Sequence, residues 1–189
     1  MAAGCGGDEE PQSEPAPAST TTGSAEPPPP TTEVQPAPTE TAKPTVTTAR
    51  DSRGDTKAPD LDIIEATISR DSDLIRVAMT LAQAPTDDVI YSAMLGCGEK
   101  LWQLGYKRAA GTTTIFAFDF GGQQYEADGD ATGGVVSIAY PAADMGCTGA
   151  LDVQFIAEGT NDRCCPDPMS DYVPEPGSDA LNPNKLHLP

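Results

Sequence analysis

From residue 61 onward the chain repeats short alternations of apolar and polar residues, and this period of two limits its folds more than any other feature. In a β-strand successive side chains point to opposite faces, so alternation marks a strand with one dry face and one wet one. Ile64, Ala66 and Ile68 share a face, with Glu65 and Thr67 on the other. Ile75, Val77, Met79 and Leu81 then point inward, and Arg76, Ala78 and Thr80 outward. A further run covers Val89 to Leu95. Trp102, Leu104 and Tyr106 keep the period, as do Phe116, Phe118 and Phe120, then Val136, Ile138 and Tyr140, and finally Leu151, Val153 and Phe155. Turn residues separate the runs: Arg70 to Asp73, Pro85 to Asp88, Gly121-Gly122, and Asp128-Gly129-Asp130 after a short strand at 123–127. Pro141 to Met145 has room for one helical turn, and no long amphipathic helix is present. The pattern predicts an all-β domain, an antiparallel β-sandwich of about eight strands. A closed barrel is the alternative, since periodicity alone does not separate the two.

The front of the chain has a different texture. Residues 1–57 contain no Leu, Ile, Phe, Trp or Tyr, and only Val34 and Val46 among the large aliphatics. Such a segment cannot bury enough apolar surface to offset its chain entropy. Pro27 to Pro30 and the threonines around them favour extended polyproline II, at roughly 3.1 Å per residue. The expected organisation is therefore a disordered Pro/Thr/Glu-rich linker over 1–57, a β-sandwich over 58–160, and a Cys/Pro-rich tail over 161–189. The net charge of −18 divides into −5, −10 and −3 over these segments, so the folded part is itself acidic. An acidic surface repels phosphate backbones and argues against nucleic acid as a partner.

Ala2-Ala3-Gly4-Cys5-Gly6 resembles the end of a lipoprotein signal peptide, in which small residues precede a cysteine that becomes acylated and then N-terminal. The resemblance implies a lipid anchor at Cys5 and placement on the extracellular side of a cell membrane, with the linker as spacer. The charged and apolar regions of a signal peptide do not precede Cys5, so the expectation is a true start upstream with Met1 internal.

A second resemblance rests on Asp51-Ser52-Arg53-Gly54-Asp55, on Pro59-Asp60-Leu61-Asp62-Ile63, on Ser69 to Ile75, and on Asp171-Tyr172-Val173-Pro174. Over residues 51–175 the chain is similar to the secreted β-sandwich domains of the DOMON-like and family 9 carbohydrate-binding-module group. That likeness implies the fold more than the function, because members bind sugars or haem or have no known ligand. A sugar-binding aromatic pair has no residue-by-residue match, and the only histidine, His187, lies in the tail, which argues against haem. No cofactor is expected.

Four cysteines remain beyond the anchor: Cys97, Cys147, Cys164 and Cys165. In an exported domain they are expected to form disulfides. A bond between the adjacent Cys164 and Cys165 would strain the peptide, so the favoured reading joins Cys97 and Cys147 each to one of that pair. A single Cys97–Cys147 bridge is the alternative.

Asp51, Asp55, Asp60 and Asp62 crowd the start of the first strand and form a candidate Ca²⁺ group, although turn chemistry also places Asp there. Asp128 and Asp130 flank Gly129 in the same manner. Arg53-Gly54-Asp55 spells an integrin-type tripeptide, which its place in the domain-opening element explains without a receptor. Trp102 is the candidate ligand platform, yet its phase with Leu104 and Tyr106 reads as core. No histidine, Gly-x-Ser-x-Gly motif or phosphate-cradling glycine loop lies within 58–160, so an enzyme is not expected. The expectation is a non-catalytic binding or accessory module whose partner is envelope polysaccharide or a surface protein; the alternative is a passive envelope component. In membranes of the native host the mature protein is expected in the detergent phase of a detergent partition, with Cys5→Ser released to the aqueous phase. Unmodified Cys5 in the aqueous phase would refute the anchor.

Overall fold

Apolar residues at every second position drive strands to pair and then to stack face to face, and a computed structural model shows two antiparallel sheets packed in this way. The structure describes residues 44–71, 73–160, 170–174 and 185–189. Twelve strands are present among them: β1 (Thr45–Arg50), β2 (Ile63–Arg70), β3 (Leu74–Leu81), β4 (Val89–Cys97), β5 (Lys100–Ala109) and β6 (Thr112–Asp119), then β7 (Gln123–Glu126), β8 (Asp128–Thr132), β9 (Val135–Pro141), β10 (Leu151–Gly159), β11 (Ser170–Val173) and β12 (Leu186–Leu188). One sheet has the order β1-β2-β3-β9-β8. The other has the order β11-β10-β4-β5-β6-β7, with β12 also paired to β10. The sandwich is thus the architecture, and the one helical turn, α1 (Ala142–Met145), falls where Pro141 to Met145 allowed it.

The core is the set of inward positions from both sheets. Ile63, Ala66, Ile68, Ile75, Val77, Met79, Val136 and Ile138 come from the first, and Tyr91, Leu95, Leu104, Val153 and Phe155 from the second. Burying one Leu, Ile or Val side chain contributes about 1.5–3 kcal/mol, so the alternation in β3, β9 and β10 selects their register strongly.

Four strands lie outside the expected eight. β1 falls in the segment expected to be linker. It carries no large apolar residue except Val46, which is exposed, and it joins the sheet through its ladder with β2, from Thr45↔Arg70 to Arg50↔Glu65. An edge strand needs backbone partners more than apolar ones, which is why composition did not reveal it. β11 and β12 come from the tail and both add to β10. β8 occupies Asp128 to Thr132, expected to begin with a turn; the turn lies instead at Gly133-Gly134, both at positive φ (60° and 82°), between β8 and β9.

β6 corrects the sequence reading in phase. Ala117 faces the core with Ile115 beside it, while Phe116 and Phe118 lie on the outer face and Phe120 is half exposed. The register explains the inversion: Leu104 pairs with Ala117, and Gly105 pairs with Phe116. The inner space beside Leu104 suits a small residue, and the bare glycine leaves a seat for a ring. A Cβ at position 105 would collide with that ring.

The favoured disulfide pairing is also corrected. Cys97, at the end of β4, is bonded to Cys147 before β10, with Cα atoms 5.8 Å apart. The bridge ties two neighbouring strands of one sheet at their loop end, the alternative left open above. Cys164 and Cys165 lie outside the described residues. Gly105→Val is expected to destabilise the domain by about 1–3 kcal/mol, read as a lower urea midpoint at unchanged m-value; an unchanged midpoint would mean that Phe116 is not seated on Gly105.

Candidate functional site

Aspartate at a strand start satisfies backbone N–H groups that no ladder reaches, and it brings charge with it. Along the edge where β2 nears β11, four such residues converge. Asp51 follows β1, Asp55 lies in the next loop, Asp62 immediately precedes β2, and Asp171 sits on β11. Carboxylate oxygens of Asp51, Asp55 and Asp171 all lie within 4.8 Å of one another. Asp171 is buried, and its Oδ2 accepts a hydrogen bond from Ile63 N at 2.7 Å, which joins the two sheets at this edge. Its Oδ1 accepts from Tyr172 N. Asp62, also buried, accepts from Gly54 N at 2.7 Å. The Arg53-Gly54-Asp55 tripeptide is therefore folded into this loop, with Gly54 at a φ of 86° and Asp55 turned into the acidic group.

Of the metal candidates read from sequence, Asp51 and Asp55 come together with Asp171, Asp62 stands beside them on Gly54 N, and Asp60 is not in the group. Asp60 is buried, accepts from the Thr86 hydroxyl through Oδ2, and offers its backbone oxygen to the Tyr91 hydroxyl at 2.6 Å. Its task is to fix the strand-opening loop to the core. Asp171 takes the place expected of Asp60. It was missed because it lies about a hundred residues further on, in a tail with no strand pattern of its own. Asp128 and Asp130 are not part of this group either; Asp130 accepts from the Ser137 and Thr132 hydroxyls across and along β8.

Burial, and then repulsion between neighbouring carboxylates, raises the pKa values of Asp171 and Asp51. Burial, then the nearby Asp55 and Asp51 charges, push Asp171 up from 3.8 to about 6, against hydrogen bonds from Ile63 and Tyr172 that oppose the shift. Asp51 is raised as well, mainly by desolvation, with Asp55 and Asp62 adding to it.

The opposite edge is aromatic. β7 and β8 are one extended stretch that leaves one sheet and joins the other at Ala127, whose N–H donates to Ile115 O. Trp102 is 5% exposed and belongs to the core, as its phase predicted, so it is not an open platform. Its ring lies 5.9 Å from those of both Tyr125 and Tyr140, which are 6.3 Å from each other. Tyr125, at 39% exposure, is the member of the trio that faces outward. A cleft of about 480 Å³ opens over Tyr125 and Tyr140 and is rimmed by Glu126, Asp128 and Asp144. It meets, at Asp128 and Ala139, a second depression on the outer face of the first sheet, floored by Ala78 and Ser137 and bordered by Arg76. Burial, then the Asp144 charge, raises the Tyr140 pKa and keeps its phenol a neutral donor. Tyr125 does not stand out in the sequence because its short strand carries no apolar alternation.

His187, on β12, contacts Asp152 at 3.2 Å on the surface. Cys5 lies outside the described residues. Comparisons with protein-family models, curated proteins and solved structures gave no match.

An acid whose pKa is raised on folding binds its proton more tightly in the folded state, so ionised Asp171 opposes folding increasingly as pH rises from about 4 to about 6. In EDTA, the melting temperature of the wild type relative to Asp171→Asn is therefore expected to improve as pH falls from about 7 to about 4.5. A pH-independent difference would show that Asp171 is not held in a shifted state.

Proposed function

We propose that this is a surface protein held on the extracellular side of a cell membrane by acylated Cys5, and that its β-sandwich is a non-catalytic binding module for carbohydrate. The observation that carries the binding reading is the edge cleft, where an outward-facing aromatic ring stands among three carboxylates and a neutral phenol. Sugars present apolar C–H faces that stack on rings and hydroxyls that donate to carboxylates, and a site needs both kinds of group to bind them in water. The continuation of the cleft across Ala78 and Ser137 gives length for a chain rather than a single residue. Envelope polysaccharide suits a module whose Pro/Thr-rich linker keeps it near its own membrane.

A passive envelope component is the second reading, and the burial of Trp102 favours it, since the largest ring of the domain is spent on the core. The two readings separate in a thermal-shift screen against soluble β-glucan, xylan, mannan and arabinogalactan. Carbohydrate binding predicts a saturable rise in the midpoint with one glycan. It also predicts a loss of about 10-fold or more in affinity for that glycan in Tyr125→Ala, as for an aromatic anchor at an interface. Absence of any shift, or full affinity in the variant, would leave the passive reading.

A further inference from the structure

Four carboxylates on one sheet edge need compensation, and the described residues supply none in the form of an ion pair. Among them, the Arg and His pairs go elsewhere: Arg50 to Glu65, Arg76 to Asp71, Arg108 to Asp87 and His187 to Asp152. The guanidinium of Arg53, from the same loop, reaches Ala82 O instead. Oδ1 of Asp62, on a residue only 1% exposed, has no hydrogen-bond partner, and neither has the buried Oδ2 of Asp51. Asp62 is anchored to Gly54, between Asp51 and Asp55, and its charge is felt by Asp51. An unsatisfied buried carboxylate oxygen in the neighbourhood of other carboxylates is among the costlier arrangements in a protein interior. A cation bound among them removes that cost.

We infer that Asp51, Asp55 and Asp171, backed by Asp62, bind one Ca²⁺ ion that clamps the loop after β1 to β11. The donor set is all oxygen, which selects a hard cation over zinc or copper. Oxygens around one Ca²⁺, each at about 2.3–2.6 Å from it, stand at most about 5 Å apart, and the three carboxylates offer oxygens that all lie within 4.8 Å of one another. Mg²⁺ gives up its water reluctantly and is seldom held by an all-protein set of carboxylates, so this donor set favours Ca²⁺. The placement gives the ion a mechanical task. β1 is the first described strand after the Pro/Thr-rich segment, and it is held to the sandwich by one ladder and by a Thr47 hydroxyl that donates to His187 O on β12. Its far end runs directly into Asp51. An ion bridging Asp51 and Asp55 to Asp171 fastens that end to the other sheet, so a pull along the linker loads both sheets instead of peeling one edge strand.

The test uses the full chain, stripped with EDTA and titrated with Ca²⁺ by calorimetry and thermal melting. One ion per chain is expected, with a dissociation constant of about 10⁻⁴–10⁻³ M, as in extracellular modules. The midpoint is expected to rise by roughly 4–8 °C at about 10 mM Ca²⁺. Asp55→Asn removes a ligand from an exposed position; it is expected to fold normally in EDTA and to bind Ca²⁺ at least about 10-fold more weakly. Asp73→Asn, an exposed acid outside the group, is expected to bind as the wild type does. No stoichiometric binding, equal binding of Mg²⁺, undiminished affinity in Asp55→Asn, or an equal loss in Asp73→Asn would each overturn the assignment. The site lies at the edge opposite the Tyr125 cleft, so a failed glycan screen leaves this result standing, and the reverse.

Discussion

Contact between two dry sheet faces is the interaction on which the rest of this domain depends. Each of the long inner strands contributes alternate side chains to one interior, and Ile68, Met79, Leu104, Ile138 and Phe155 are fully buried there. Because a one-residue slip would turn a whole strand's apolar set to water, that interior fixes register as well as compactness. Short, weakly apolar strands then find places by completing ladders. β1, β7, β8, β11 and β12 lie at the margins of the two sheets. They add little to the core and depend on neighbours that the core has already positioned.

Both candidate sites sit on those margins for a physical reason. The interior has no room for unpaired polar groups, and the broad sheet faces are paved by ladder-bound residues. At the open edges, loops and short strands from the two sheets approach each other, and side chains distant in sequence can meet. One edge collects Asp51, Asp55, Asp62 and Asp171, and the other collects Tyr125 and Tyr140 over the buried Trp102. At the acidic edge Asp171 joins the sheets by its bond to Ile63 N while carrying a charge that burial disfavours. The same residue both holds the seam and creates the demand for a counter-charge.

Much of the fold was legible before any coordinates. The inward set of β3, the phase of Trp102, the single helical turn ending at Met145 and the all-β class followed from period and turn residues, while period alone left a barrel open beside the sandwich. β6 was misread because three phenylalanines at period two look like a core face; only the pairing of Gly105 with Phe116 shows that the larger residues lie outside. β1 and β11 were invisible because backbone hydrogen bonds, unlike apolar burial, leave almost no trace in residue type. The acidic site was half legible. Its local members lie close together in sequence, but Asp60 looked equivalent to them until its contacts with Thr86 and Tyr91 separated it.

By itself, then, the sequence determined the strand period, the acidity and the all-β class, since these follow from the local order of apolar, polar, Pro and Gly residues. Tertiary structure alone decided which face β6 turns inward, that Cys97 bonds Cys147, and that Asp171 rather than Asp60 completes the acidic edge. Each of those is a matter of which distant residues come to lie opposite one another across a ladder or a seam. Local pattern carries no information about that; packing of the two sheets supplies it.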